Sequence, residues 1–441
     1  MSSDVLVSHA REAARSSDWS SLSHYLRRIS MTDTFSTPQP LDQGLGRLPD
    51  HPSSGQSQSQ ISEVIDLALY ALQSADFQTR WDLAKLIPAF GVGAIAPLSQ
   101  LIDPAIDDDD WELLWFVARI LGEFRTPETV HVLSQLMAYA DQPDLVGVVI
   151  QAFANIGELA IPTLSQFLTD EATRLAAVQA LSQMNHRSAT EVLLQVSHDA
   201  NPEIRALAIS AIGHMYEPRI RQVLTQSLED VSAQVRCAAV QGLGIQAAHM
   251  NEQDFLKIVE PLLWDIDTQV RRQTIRVLGR LSSSAAADHL NEALRSAYTP
   301  ASLQADIIHA LIWTETEAAL QHLHHFVESR DVSVDAIVQP ASTALSEKVN
   351  QAPSPSSPVY CEIAATLGQV RQSALKALAA QILTQMIETC TASEGHAVLK
   401  QNIAFSLGQL ALPMAIAPLE QLLNDNDPRV RLHAAAALKM T

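Results

Sequence analysis

Asp, Arg and Trp recur in this chain at spacings that place charge and aromatic surface in register. Asp199 is followed six residues later by Arg205, Asp230 by Arg236, Asp265 by Arg271 and Asp425 by Arg431. A carboxylate at a helix start can accept from the free backbone N–H groups there, and an arginine can fork onto a carboxylate of its own or a neighbouring helix. This pairing predicts a structural ladder of salt bridges rather than acid–base chemistry. Trp111, Trp115 and Arg119 fall every four residues on one helix face, and Trp81 extends that stripe. Tryptophan dominates interface hot spots, so these four residues are candidates for partner contact. A second stripe, Arg272, Arg276 and Arg280, is the clearest basic face and could grip a partner's carboxylates. His322, His324 and His325 do not share one helix face and lack neighbouring Cys or carboxylate ligands, so no metal site is expected. No phosphate-binding glycine loop or nucleophile elbow occurs, and no catalytic residue is assigned.

The elements that position these residues are repeats. The phrases DANPEIRALAISAIG (199–213) and DVSAQVRCAAVQGLG (230–244) each open on Asp, carry Arg at the seventh place and close on Gly eight residues after it. Degenerate copies put the Arg position near 80, 114, 149, 174, 205, 236, 271 and 304, a period of about 31 to 35 residues that fits two helices and two turns. The Asp is expected to start the second helix of each pair, small residues to allow close packing, and the closing Gly to permit a left-handed turn. The acidic run Asp107–Asp110 sits where negative charge favours a helix start.

The rest of the chain frames this array. Residues 1–30 read as a helical extension, docked as a cap or loosely tethered, and 31–60 as a disordered linker rich in Ser, Pro, Gln and Gly. Repeats follow over 61–330, an irregular loop with the run APSPSSP over 331–358, and further repeats over 359–441. Between Gln304 and Lys400 there is room for three periods, one of them remodelled into the loop. Hydrophobic residues make up 47% and aromatic ones only 5%, which suits helices packed through small side chains. A net charge of −20 disfavours nucleic acid and anionic lipid as partners. Cys237, Cys361 and Cys390 are too scattered for a disulfide framework, and no apolar run suggests a membrane span, so a cytoplasmic protein is expected.

The phrase D-x-x-x-x-V-R-x-x-A-x-x-A-L-G, matched best at Asp230–Arg236 and Asp425–Arg431, resembles the HEAT repeat, and most closely its short phycobilisome-lyase-like variety from cyanobacteria. That resemblance implies an all-α, right-handed α-solenoid of about ten HEAT-like helix pairs whose second helices line a concave binding face. It implies a protein-interaction scaffold or chaperone holding a folded partner, such as a phycobiliprotein or another photosynthetic assembly component. The alternative is a bilin lyase or lyase subunit, in which the Arg272 stripe would hold bilin propionates. The first reading needs no enzyme activity and no cofactor; the second would bring a bilin.

Overall fold

The computed structural model describes residues 3–31, 54–139, 142–184, 186–328, 358–390 and 396–441, and these are helical, with no strand among them. They fall into two compact units, Met1–Ile212 and Gly213–Thr441. In the first unit the helices are α1 (Ser3–Arg15), α2 (Trp19–Ser30), α3 (Ser54–Ser74), α4 (Phe77–Leu86), α5 (Ile95–Ser99), α6 (Ile102–Asp107) and α7 (Trp111–Leu121). There follow α8 (Pro127–Leu136), α9 (Pro143–Ile156), α10 (Ile161–Phe167), α11 (Glu171–Gln183), α12 (Arg187–Val196) and α13 (Pro202–Ile212). The second unit holds α14 (Pro218–Ser227), α15 (Ala233–Gln246), α16 (Glu252–Val259), α17 (Thr268–Gly279), α18 (Ser284–Arg295) and α19 (Ala301–Trp313). It continues with α20 (Glu317–Glu328), α21 (Pro358–Leu367), α22 (Ser373–Cys390), α23 (Ala397–Leu410), α24 (Ile416–Leu422) and α25 (Pro428–Leu438).

Within each unit the fold is an all-α solenoid. The second helices of successive pairs pack in a row, α2, α4, α7, α9, α11 and α13 in the first unit and α15, α17, α19, α21, α23 and α25 in the second. A single pair cannot bury its own apolar face, so each is completed by its neighbour. The row explains the composition, because neighbouring second helices meet through small residues. A Cβ on Gly122 would lie 2.7 Å from Ala152 Cα, one on Gly244 2.7 Å from a Val277 methyl, one on Gly279 2.9 Å from Ala310 Cα and one on Gly408 2.8 Å from Ala437 Cβ. The expected left-handed turn is therefore corrected at these glycines: Gly122, Gly244, Gly279 and Gly408 serve close approach to the next helix, and Gly244 lies inside α15. Gly157, at φ 78° after α9, does make a left-handed stop.

The opening helices are the first pair of the array. α1 packs on α3 and α2 on α4, Leu22, Leu26 and Ile29 are fully buried, and Arg11 pairs with Glu63. The helix expected from Ile61 begins at Ser54, which takes residues 54–60 out of the linker; its residues 32–53 and all of the 331–358 loop except Pro358 lie outside the described residues. In the second unit α21 stacks directly on α19 and α23 on α21, so the stretch from Gln304 to Lys400 spans two steps of the row rather than three. One stretch, Pro143–Phe167, is long and apolar enough by composition to cross a membrane, contrary to the sequence expectation. It is interrupted at Gly157, half of its apolar window is buried, and α9 packs between α7 and α11.

Alanine replacing Gly279 should destabilise the protein by about 1–3 kcal/mol, because the added methyl meets the Ala310 backbone and outweighs the gain of about 1 kcal/mol in helix propensity. Gly147, inside α9 with nothing within 4 Å of a built Cβ, is the control: Gly147→Ala should stabilise by up to about 1 kcal/mol. Denaturant midpoints of the two variants would shift in opposite directions; two shifts of the same sign would show that close approach is not what selects glycine.

Candidate functional site: the face of the second helices

The Asp and Arg of the repeat phrase meet across repeats. Arg236 Nε and Nη2 each donate to the Asp265 carboxylate at 2.7 Å, while Nη1 donates to the carbonyls of Asp230 (2.8 Å) and Val231 (3.2 Å) in its own turn. One guanidinium thus closes its own loop and grips the next repeat. Arg80 repeats the arrangement on Asp110 (3.1 Å) and Glu112 (3.0 Å), Arg174 reaches Asp199 at 3.7 Å, and Lys400 takes the arginine's place on Asp425 at 2.7 Å. Arg205 and Arg431 donate to the carbonyls of Asp199 and Asp425 in their own turns. Arg271 has no aspartate at the corresponding point of the next repeat, where Thr299 and Pro300 stand, and donates instead to the Thr268 hydroxyl at 3.1 Å.

The aspartate does not start the helix where the Asp–Arg spacing is six. Asp199, Asp230, Asp265 and Asp425 each accept from the N–H two residues on, at 2.7 to 2.9 Å, and the helix is capped at that later residue. Ser232, Asp267 and Asp427 occupy the caps of α15, α17 and α25. Where the spacing is four, as in Asp76 to Arg80 and Asp170 to Arg174, the aspartate is itself the cap. The two spacings differ by the short turn that the six-residue version inserts before the helix. Burial by itself would raise the Asp265 carboxyl, but the hydrogen bonds from Arg236 and the Asp267 N–H outweigh it and hold the group below the usual carboxylate range. Asp425 is lowered against burial in the same way by Lys400 and the Asp427 N–H. Asp427 is lowered to about 2, chiefly by the Arg429 side chain.

The tryptophan stripe forms one stack across α4 and α7. Trp81 and Trp115 lie 6.1 Å apart with planes 17° from parallel, and the Arg119 guanidinium sits 4.5 Å over Trp81 and 5.7 Å over Trp115. Phe77 stacks on Trp81 at 6.2 Å and is itself 54% exposed, and Lys85 lies 5.3 Å over the same indole. Trp111 stands apart, against Tyr139 at 6.0 Å. The aromatic rings and Arg119 therefore satisfy one another, leaving an exposed edge at Phe77 and Lys85. The spacing of the tryptophans carried the sequence reading; Phe77 and Lys85 were missed, though both lie four residues from Trp81.

The arginine stripe is divided. Arg272 donates to Asp306 of α19 at 2.9 Å, whereas Arg276 and Arg280 are exposed and have no carboxylate partner among the described residues. Arg280 borders a cavity of about 600 Å³ at the C-terminal ends of α15 and α17. Among the described residues, His322 pairs with Asp288 and His324 with the Gln385 carboxamide, so the two histidines point to different partners.

Comparison with known proteins bears on the array. A model of HEAT repeats matches residues 161–244, 222–305 and 388–441. Residues 161–305 and 388–441 thus carry HEAT repeats. Human deoxyhypusine hydroxylase in complex with glycerol is similar over 64% of this chain and 95% of its own, at 19% identity and a TM-score of 0.26. An engineered protein is similar over 100% and 99% at 16% identity and TM-score 0.34, and Kap121p bound to Nup53p over 99% and 53% at 14% and 0.45. No curated protein matches the chain.

Asp265→Asn should cost about 3 kcal/mol near neutral pH, because it leaves the nearly buried Arg236 guanidinium without its counter-charge. A carboxylate whose pKa is lowered on folding stabilises above its unfolded pKa of about 3.9 and loses that contribution as pH falls through the folded value. The gap between wild type and Asp265→Asn in urea midpoint should therefore be constant from pH 7 to 5 and narrow below about pH 4. A gap that persists unchanged at pH 2 would show that the pair is not the source.

Proposed function

We propose that this protein is an interaction scaffold that holds a protein partner against the face of its second helices. The observation that carries the reading is the stack Phe77–Trp81–Trp115 with Arg119, which keeps large aromatic surface half-exposed and rigid on adjacent second helices. An aromatic platform fixed by its own neighbours loses little side-chain entropy on binding, which is what makes such residues efficient anchors. The HEAT repeats support this use, since stacked helix pairs offer a broad surface rather than a catalytic cleft. By the resemblance of the repeat phrase, the partner is a phycobiliprotein or another component of photosynthetic assembly. The lyase alternative asks the three arginines to hold bilin propionates together, and Arg272 is already engaged by Asp306.

Capture experiments on native lysate with wild type and with Phe77→Ala/Trp81→Ala test the reading. A discrete partner set on the wild type should be depleted at least about tenfold on the variant, at unchanged helical content. Visible absorbance in the eluate identifies a phycobiliprotein. Equal capture by both proteins removes the aromatic stack from the interface, and a colourless eluate with a defined partner removes the photosynthetic client.

A further inference from the structure

Two cavities lie along α15 and α17, one of about 600 Å³ at the C-terminal ends and one of about 410 Å³ toward the N-terminal ends, and both are lined by Gln241 and Gln273. They form one groove. Its walls run from Ala233 to Ile245 on α15, thirteen residues or about 18 Å of helix, which is the span of about five residues of extended chain. Four carboxamides, Gln234, Gln241, Gln269 and Gln273, line it without a hydrogen-bond partner for any of these side chains among the described residues. A carboxamide offers a donor and an acceptor together and matches a peptide group on both. The wider cavity is walled by Ile245, Met250, Phe255 and Val277, an apolar pocket with Arg280 at its edge.

The charges around the groove are ordered. Arg280, at the C-cap of α17, borders the wider cavity without a carboxylate partner among the described residues, while Arg272 is neutralised by Asp306 and Arg276 lines neither cavity. Glu252, also on the wider cavity, accepts the Ser283 hydroxyl, and Asp267 at the far end caps α17 through the N–H groups of Gln269 and Val270. Cys237 lines the narrow part, and burial pushes its thiol up, so it stays a neutral wall. Arg280 is the one cation among the residues lining the two cavities, and it favours an anionic group at that end only.

We propose that the groove between α15 and α17 binds an extended peptide segment of a partner, about five residues long, with a large apolar residue in the pocket of Met250 and Phe255 followed by an acidic residue on Arg280. The glutamines take the peptide backbone and contribute affinity with little sequence preference, while the pocket and Arg280 set specificity. This rests on the scaffold reading above and names the chemistry of one binding element of the partner.

The probe is a fluorescein-labelled hexapeptide, Ser-Thr-Ser-Gly-Leu-Glu, titrated with the full chain and followed by anisotropy, with the same peptide ending in Leu-Lys as its counterpart. The glutamate peptide should bind at least about tenfold more tightly, and Arg280→Glu should abolish that preference. Gln241→Ala/Gln273→Ala should weaken the glutamate and lysine peptides alike, by about three- to tenfold. Equal binding of the two peptides by wild type, or an unchanged preference in Arg280→Glu, overturns the proposal. Gln241, Gln273 and Arg280 are half-buried or exposed, and circular dichroism melts confirm that each variant folds. If the arginine variant still captures the whole partner while Phe77→Ala/Trp81→Ala does not, the groove fails and the scaffold stands. If the arginine variant loses the whole partner while Phe77→Ala/Trp81→Ala still captures it, the aromatic stack fails and the groove stands.

Discussion

Neighbouring second helices in each unit approach until there is no room for a methyl group between them. Gly122 against Ala152, Gly279 against Ala310 and Gly408 against Ala437 mark where the backbones come nearest. That approach sets the offset from one helix to the next, and the side-chain rungs can form only at that offset. Arg236 reaches Asp265 in a fork because the two turns are held at one helix spacing. The aromatic stack of Trp81 and Trp115 uses the same spacing, one ring from each of two adjacent helices with Arg119 laid over both. Packing, salt bridges and exposed surface are thus three readings of one distance.

Much of this was legible in the sequence because the repeat is a local phrase. Asp, Arg and Gly at fixed offsets announce paired helices, and the period announces stacking. The roles of individual residues were less legible. The aspartate of the six-residue spacing looks like a helix cap, yet it caps a short turn and leaves the helix start to Ser232 or Asp267. The closing glycine looks like a turn former, and its reason lies in a helix some thirty residues away that no local pattern displays. Charge stripes were the least legible feature: Arg272, Arg276 and Arg280 are alike along the chain, and only the neighbouring Asp306 separates the first from the other two.

Surface chemistry divides along the same lines. The stack at Phe77 and Trp81 is stiff and mostly self-satisfied, so what it offers a partner is shape and apolar area. The face of α15 and α17 offers unpaired carboxamides and cations, whose hydrogen bonds remain to be made. Hot-spot anchoring suits the first and backbone recognition the second.

The rungs also have a direction. Arg80, Arg174, Arg236 and Lys400 each find their carboxylate in the repeat that follows, never in the one before. A chain leaving the ribosome therefore presents each cation before its counter-charge exists, and the next repeat to emerge supplies it. Where a rung forms, the newly made repeat neutralises the one already folded behind it, which gives those steps of assembly the same polarity as translation.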